Sequence, residues 1–236
     1  MYDVDRYVDR LYTPVLVELG IEVVKTEWHR YAVDLNRLAD DIDRDSVQGD
    51  ANASGKFPRG FHWSITTVGE ALMPGPMPRA THDLIVLKYF TPFHHETRAA
   101  LERLRARVAP VTYHIDLHSM PSVGTKEHRD PGEHRADVVI SDCEGKSCSS
   151  EFKNLVIQAY AQSGFKVAYN WPYKGGRLTE TYGKPAQGQH AIQVELNRAL
   201  YMDETTKAPL NVEFAEIQTR VATALRYVHD SLPKTE

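Results

Sequence analysis

Cysteine is scarce in this sequence, and so are long apolar runs and any excess of one charge. Only 2 cysteines occur in 236 residues, which excludes a disulfide scaffold and indicates a cytoplasmic protein. The acidic start and the lack of an apolar run of roughly 18 residues lead us to expect neither export nor a membrane span. With 28 Lys and Arg against 32 Asp and Glu, no basic surface for nucleic acid is expected.

The composition that is present is that of an ordinary globular domain. Hydrophobic residues make up 42% and charged residues 25% of the chain, as in typical folded proteins. A globule of this size buries roughly 70% of its unfolded surface, which is enough for one core without structural staples. We therefore expect a single domain over residues 1–236.

Hydrophobic spacing predicts helices and strands that alternate along the chain. The stretch from Asp40 to Pro78 lacks such spacing, and we expect a functional insertion or lid there. Alternating elements predict an α/β fold with a mixed, mostly parallel sheet flanked by helices. Helices are predicted over 4–19, 92–108, 150–163 and 212–232, and strands over 21–25, 31–37, 111–119, 136–140, 165–169 and 191–196.

Three predicted strands end in polar residues, at 34–37, 116–119 and 193–196. In open α/β sheets, ligands bind at the carboxyl ends of strands. These three segments are therefore the first candidates for a functional site.

Two residues in these segments suit catalysis. His118 follows Asp116 by two residues, a spacing that suits a metal ligand with an orienting neighbour, although a structural histidine is the alternative. Glu195 shares a strand face with Gln193. If that face lines a pocket, Glu195 is a candidate general base, and if it faces solvent, Glu195 is simply hydrated.

Other polar residues suit substrate binding. Arg30, Asn36 and Arg37 could grip a carboxylate, since a guanidinium donates two parallel hydrogen bonds, although surface arginines are the alternative. Tyr173 and Lys174 lie in a predicted turn and could point into a site.

Several common catalytic motifs are absent from the sequence. It contains no Gly-x-Ser-x-Gly elbow, no P-loop and no dinucleotide fingerprint, so a serine hydrolase or a nucleotide-binding protein is not indicated. His94 and His95 are adjacent on a predicted helix, where neighbouring side chains diverge. We therefore expect at most one of them to reach a site.

The order of the motifs resembles the N-formylglutamate amidohydrolase family, a branch of the zinc-carboxypeptidase-like hydrolases that also contains aspartoacylase. The matching segments are collinear and span nearly the whole chain. They are DVDRYVDRLY from Asp3, RYAVDLNR from Arg30, IDLHSMP from Ile115, DVVISD from Asp137 with GKSC from Gly145, NWPYKGG from Asn170, and HAIQVELNRALYM from His190.

This resemblance implies a phosphorylase/hydrolase-like α/β fold of the zinc-carboxypeptidase type and one zinc ion. His118 and Asp5 match the zinc ligands, with Asp3 as the less favoured carboxylate. Glu195 matches the glutamate that activates water and then protonates the departing amine.

The resemblance also implies a substrate-binding set. Arg30, Asn36 and Arg37 occupy the places where relatives hold the substrate carboxylate and polarise the scissile carbonyl, so Arg30 is also a candidate catalytic residue. Tyr173 and Lys174 are expected to shape the pocket.

One element of the family pattern has no counterpart in this sequence. Relatives carry a Pro-His-Ser-Gly motif upstream, whose histidine is the first zinc ligand, and this sequence starts at Met1. His114 does not replace it easily, because four residues along a strand span about 13 Å. We expect either a start placed too far downstream or a two-ligand site that binds zinc weakly.

Three functions are consistent with these observations. The first is hydrolysis of N-formyl-L-glutamate to L-glutamate and formate, as in histidine breakdown. The second is the same chemistry on another N-acyl amino acid or a peptide-like carboxylate. The third is a non-catalytic carboxylate-binding homologue. In each case the partner is a small molecule, and the oligomeric state is left open.

Overall fold

The computed structural model describes residues 3–43, 45–49, 59–107 and 110–233. The chain divides into two compact units. One, here named the sheet unit, comprises residues 5–23, 105–124 and 129–236, and the other, the loop unit, comprises 1–4, 24–104 and 125–128. The single domain expected over 1–236 stays a prediction.

Six α-helices and four strands lie within the described residues. None of these helices has the length and apolar character that a membrane span requires. The helices are α1 Val8–Glu18, α2 Arg79–Ile85, α3 Thr91–Arg107, α4 Ser150–Gln162, α5 Arg177–Tyr182 and α6 Asn211–Ser231, and the strands are β1 Thr112–Met120, β2 Val138–Ser141, β3 Val167–Tyr169 and β4 Gln189–Asn197.

The four strands form one sheet in the sheet unit. Their order is β1-β4-β2-β3. β1 and β4 run parallel, as do β2 and β3, whereas β2 and β4 are antiparallel. The sheet is therefore mixed and mostly parallel, which confirms the predicted fold class.

Helices of the sheet unit cover the apolar side of this sheet. α6 packs against α1 and α4, and α4 also packs against β2 and β3. Ile192, Val194 and Leu196 of β4 are fully buried in this core. The alternate residues Gln193 and Glu195 are also buried, with 3% and 6% of their surface exposed, so the polar face of β4 does not lie in solvent.

The predicted helix over 92–108 is present as α3, but helical structure starts earlier, at α2. A π-helix over Val86–Phe90 joins the two. Pro92 has no N–H to donate to the carbonyl of Lys88, and the wider π turn lies directly before it. Periodicity alone does not signal such a junction.

Two predicted strands are not formed. Residues 21–25 and 31–37 contain no strand. Ile21 and Val23 are 36% and 51% exposed, so their alternation has no buried face. Around Asp34 the chain turns instead, and the N–H of Arg37 donates to the Asp34 carbonyl at 3.2 Å.

The stretch from Asp40 to Pro78 supplies part of the core of the loop unit. Its described residues contain no helix or strand, only isolated bridges between Val47 and Met77 and between Ile65 and Ala71. Phe61 is fully buried and packs with Val33 and Leu35. Residues 44 and 50–58 lie outside the described residues, and the role of this stretch as a lid stays a prediction.

Candidate active site

A polar face on β1 and β4 carries the candidate site residues of the sheet unit. The two strands are parallel, and His118 is in register with Glu195 and Asp116 with Gln193. Register partners in parallel strands point to the same side of the sheet. Both His118 and Glu195 lie two residues before the end of their strands, so the carboxyl ends of β1 and β4 carry the polar groups together.

His118 lies between two carboxylates. Its Nδ1 is 3.0 Å from Oδ2 of Asp5, and its Nε2 is 3.0 Å from Oδ1 of Asp116. Burial opposes charge on His118 and Asp116, but the pairing outweighs it. Asp116 and Asp5 raise the pKa of His118 well above its usual value, and His118 lowers the pKa of Asp116.

Asp5 is held in place by backbone and side-chain donors. The N–H of Ser119 donates to Oδ1 of Asp5 at 2.8 Å. Arg198 in turn donates from Nε to the Ser119 hydroxyl and from Nη2 to the Ser119 carbonyl, both at 3.0 Å. The position of Asp5 beside His118 is therefore fixed by tertiary contacts.

The donors at this position fit zinc in kind. Zinc prefers imidazole nitrogen, carboxylate oxygen and thiolate, and its catalytic sites use three protein ligands. His118 and Asp5 are in contact, and Oδ2 of Asp116 is buried with no hydrogen-bond partner among the described residues. Over all the residues that the structure describes, however, no group of three His, Cys, Asp or Glu side chains is arranged to hold a metal ion. The residues thus offer two donors of the kind that zinc prefers, and zinc binding stays a prediction.

Glu195 is buried and receives a hydrogen bond from its own strand. Nε2 of Gln193 donates to Oε1 of Glu195 at 2.8 Å. Oε1 of Gln193 accepts from the N–H of Gly176 at 2.6 Å. The Glu195 carboxylate is thus a buried group near the carboxyl end of β4 with a donor on one of its oxygens, and its role as general base stays a prediction.

Tyr173 is anchored by a buried arginine. Nη1 of Arg135 donates to the Tyr173 hydroxyl at 2.9 Å, and the guanidinium carbon lies 5.1 Å from the centre of the ring. Burial, and after it the negative charge of Glu195, raise the pKa of Tyr173. The hydroxyl is therefore neutral, and the negative charge of Glu195 opposes its deprotonation.

Lys174 lies in the same turn but is paired elsewhere. Its Nζ is 2.5 Å from Oε1 of Glu144, and its side chain is 42% exposed. This ion pair places the Lys174 ammonium at the surface of the sheet unit. Its expected role in shaping the pocket stays a prediction.

The predicted carboxylate-binding residues belong to the loop unit and surround Asp34. Oδ2 of Asp34 accepts from the Trp63 indole at 2.9 Å and lies 3.9 Å from Nε of Arg30. The Arg30 guanidinium carbon is 5.3 Å from the centre of the Trp63 ring. Although burial opposes it, the charges of Arg30 and Arg37 lower the pKa of Asp34. Arg30 is thus oriented by Asp34 and Trp63.

Asn36 and Arg37 lie in the turn that follows Asp34. The N–H of Asn36 donates to Oδ1 of Asp34 at 3.0 Å. Arg37 donates from Nη1 to the Asn36 carbonyl at 2.8 Å and from Nε to the Arg59 carbonyl at 3.0 Å. Asn36 and Arg37 therefore lie in the turn that follows Asp34, and Arg30 approaches the Asp34 carboxylate from the preceding segment of the loop unit.

Asp3 and Asp5 have different surroundings. Asp3 belongs to the loop unit, where Oδ2 accepts from the Tyr31 hydroxyl at 2.6 Å and from the Thr67 N–H at 3.2 Å. The Thr67 hydroxyl donates to its other oxygen. These bonds make Asp3 a link between segments of the loop unit, whereas Asp5 contacts His118.

The adjacent histidines His94 and His95 diverge as expected for a helix. His94 is buried, and its Nε2 lies 3.1 Å from the Leu35 carbonyl. Burial lowers its pKa. His95 is exposed. His94 therefore helps to hold the segment before Asn36.

Two arginines near the sheet were not singled out from the sequence. Arg198 directly follows β4 and is 6% exposed, and Arg135 lies shortly before β2. The available signal was a charged residue next to a buried strand, where it needs a partner. That signal does not identify the partner, which for Arg198 is Ser119 and for Arg135 is Asp130.

Two named relatives are similar to this chain in sequence over most of its length. An N-formylglutamate deformylase from Pseudomonas aeruginosa is 29% identical over 215 residues, which cover 91% of this chain and 76% of that protein. An N-formylglutamate deformylase from Pseudomonas putida is 29% identical over 204 residues, covering 86% and 72%.

Two solved structures share the fold. A crystal structure of N-formylglutamate amidohydrolase from Ralstonia eutropha JMP134 superposes with a TM-score of 0.79 at 27% identity, covering 95% of this chain and 82% of that one. The gene product Atu2144 from Agrobacterium tumefaciens has a TM-score of 0.67 at 13% identity, covering 98% and 79%, and supports the fold alone. The family model for N-formylglutamate amidohydrolase matches residues 2–202, and the chain belongs to that family.

Proposed function

We propose that this protein hydrolyses the amide of N-formyl-L-glutamate to L-glutamate and formate. The observation that carries the proposal is the buried Glu195 carboxylate, which lies in register with His118 at the carboxyl ends of two parallel strands. The relatives named as N-formylglutamate deformylases support this substrate. A cytoplasmic location remains part of the proposal.

Glu195 is the proposed general base and acid. Its carboxylate takes a proton from the attacking water as the C–O bond forms at the formyl carbon. The same proton is then delivered to the amide nitrogen as the C–N bond breaks, which releases formic acid and the neutral amine. The acidic proton of formic acid then passes to the amine, giving formate and the ammonium form of L-glutamate. Proton transfer by a positioned side chain contributes about 10²–10⁴-fold to rate.

The loop unit supplies the proposed substrate-binding groups. Arg30 carries a guanidinium that Asp34 and Trp63 orient, and it is proposed to polarise the scissile carbonyl. Asn36 and Arg37 are proposed to hold the carboxylate of the glutamate moiety, because amide and guanidinium N–H groups donate to carboxylate oxygens. In the sheet unit, the neutral hydroxyl of Tyr173 is proposed to line the pocket near Glu195.

The proposal includes dependence on zinc. His118 and Asp5 would hold the ion, because an imidazole and a carboxylate in contact are donors that zinc prefers. When bound, zinc acts as a Lewis acid that polarises carbonyl groups and lowers the pKa of water. The support is the contact between the two side chains together with the family resemblance.

Formate release tests the reaction. Purified protein supplied with zinc is incubated with N-formyl-L-glutamate, and formate and glutamate are quantified. We expect equimolar products and a fall in kcat of at least about 100-fold in Glu195→Gln. Glu216→Gln, at an exposed glutamate of α6, is the matched control and should retain turnover. Undiminished turnover in Glu195→Gln would show that Glu195 is not the base.

A substrate panel distinguishes the remaining functions. N-formyl-L-glutamate, N-acetyl-L-glutamate, N-formyl-L-aspartate and a formylated dipeptide are compared by kcat/KM. Preference for any compound but the first would replace the substrate and keep the chemistry. Binding of glutamate without turnover on any of them would indicate a carboxylate-binding protein.

Metal analysis tests the zinc part separately. We expect about one zinc per chain by elemental analysis, and its loss in His118→Ala and Asp5→Asn. His229→Ala, at an exposed histidine of α6, is the control and should retain the metal. Full turnover by metal-free protein would contradict zinc dependence while leaving the substrate proposal intact.

A further inference from the structure

We propose that Gln193 is a positioning residue that fixes the orientation of the Glu195 carboxylate through a relay from Gly176. The inference rests on the proposed role of Glu195. It deepens that role by assigning a function to a side chain that does not itself react.

The relay consists of two short hydrogen bonds in series. The N–H of Gly176 donates to Oε1 of Gln193 at 2.6 Å, and Nε2 of Gln193 donates to Oε1 of Glu195 at 2.8 Å. Gln193 and Glu195 are separated by one residue on β4 and therefore share a face. Both are buried, with 3% and 6% exposure.

The two ends of the amide are assigned by their partners. A carboxamide has an acceptor end and a donor end. A backbone N–H can only donate, so the Gly176 N–H selects the oxygen end of Gln193. The donor end is then left facing Glu195. The reversed amide would place two donors together and two acceptors together, at a cost that burial increases.

The turn that presents Gly176 is itself closely packed. Gly175 has φ +113°, in the region that favours glycine, and a Cβ there would lie 2.7 Å from Sγ of Cys143. The Cys143 N–H also donates to the Lys174 carbonyl at 2.7 Å. Gly175 thus lets this turn pack tightly against Cys143, and the next residue, Gly176, presents its N–H to Gln193.

A fixed carboxylate matters for the chemical step more than for substrate binding. A hydrogen bond to one oxygen of Glu195 restricts rotation of the carboxylate plane. Proton transfer requires the base within hydrogen-bond reach of the proton it takes, and small errors in placement reduce rate strongly. Removal of the relay should therefore lower kcat and leave KM nearly unchanged.

Two variants remove different parts of the relay. Gln193→Met keeps the side-chain length and removes both hydrogen bonds. Gln193→Glu keeps an acceptor for the Gly176 N–H, removes the donor to Glu195 and adds a like charge. We expect kcat for N-formyl-L-glutamate to fall about 10- to 100-fold in both, with KM within about twofold.

Gln189→Met is the matched control. Gln189 lies on the same face of β4, is buried, and donates from Nε2 to the Tyr182 carbonyl at 2.7 Å. It is six residues from Glu195, about 20 Å along a strand. Its loss should lower the unfolding midpoint as much as Gln193→Met does, while kcat is unchanged.

A double-mutant cycle with Glu195→Gln completes the experiment. If Gln193 acts through Glu195, Gln193→Met should have no further effect on kcat in the Glu195→Gln background. Wild-type kcat in both Gln193 variants, with Glu195→Gln inactive, would overturn the relay and leave the proposed function standing. A rise in KM at constant kcat would do the same. Turnover retained in Glu195→Gln would overturn both.

Discussion

The sheet unit and the loop unit both bury carboxylates, and they compensate the charge differently. In the sheet unit, Asp130 accepts from Nε and Nη2 of Arg135 at 2.7 and 2.8 Å. In the loop unit, Asp34 accepts from the neutral donors of Trp63 and Asn36, and the Arg30 guanidinium lies farther away, at 3.9 Å. The first carboxylate is hydrogen-bonded directly to one buried cation, whereas the second combines neutral hydrogen-bond donors with a more distant positive charge. The units should therefore respond differently to substitution and to pH.

The largest expected effect is the loss of Arg135. Both side chains of the Arg135–Asp130 pair are 1% exposed, and removing one partner of a buried pair leaves an uncompensated charge. We expect Arg135→Met to lower the free energy of unfolding by about 3–5 kcal/mol, measured by urea denaturation.

Two controls accompany this variant. Arg129→Met, at an exposed arginine of the same loop, should change the unfolding free energy by less than about 0.5 kcal/mol. The double variant Arg135→Met with Asp130→Leu should recover most of the loss, because no charge is then buried alone. A small effect of Arg135→Met would show that the pair does not stabilise the sheet unit.

A buried histidine should make the stability of the loop unit sensitive to acid. Burial, and then the neighbouring His82, lower the pKa of His62 from 6.5 to about 4. Between pH 6.5 and 4, His62 is protonated in the unfolded state and neutral in the folded state. The contribution of His62 to the unfolding free energy is therefore fully present above pH 6.5 and is lost as the pH falls towards 4. The loss should be about 3 kcal/mol.

This pH dependence is measured by urea denaturation from pH 7 to 4. His62→Asn should flatten the slope, because the titrating group is gone. His229→Asn, at an exposed histidine of the sheet unit, should leave the slope as it is. An unchanged slope in His62→Asn would assign the acid sensitivity to other groups.

A neutral replacement of Asp34 tests how much its two hydrogen bonds stabilise the loop unit. Asparagine offers one oxygen where Asp34 uses two, so either the Trp63 indole or the Asn36 N–H loses its partner. We expect Asp34→Asn to lower the free energy of unfolding by about 2 kcal/mol. The measurement is urea unfolding monitored by tryptophan fluorescence. Asp40→Asn, at an exposed position, should be neutral, and an equal effect there would argue against the role of Asp34.

The smallest effect is local to one helix. Oγ of Ser149 accepts from the Phe152 N–H at 3.3 Å and caps α4. Ser149→Ala should lower the unfolding free energy by about 1 kcal/mol, whereas Ser150→Ala at the next, exposed residue should not. Equal stability of the two variants would mean that the cap contributes nothing.

The sheet unit could be predicted largely from sequence because its elements follow periodic patterns. Ile192, Val194 and Leu196 alternate with Gln193 and Glu195, and this alternation alone assigns two faces to β4. The loop unit follows no such pattern. Its chain is held by contacts between distant residues, such as the Asp3 carboxylate with Tyr31 and Thr67, and local spacing carries no information about them.

The same distinction holds for the candidate site. The order of motifs identified the family, and strand position indicated His118 and Glu195. The sequence could not show that Asp5 meets His118 from 113 residues away, or that Arg198 supports Asp5 through Ser119. The chemical types of the site residues, and the faces of the strands that carry them, were determined by the sequence, because side-chain alternation is a local property of the backbone. Which residues meet across the fold was decided by tertiary structure alone, because packing selects one partner for each buried polar group.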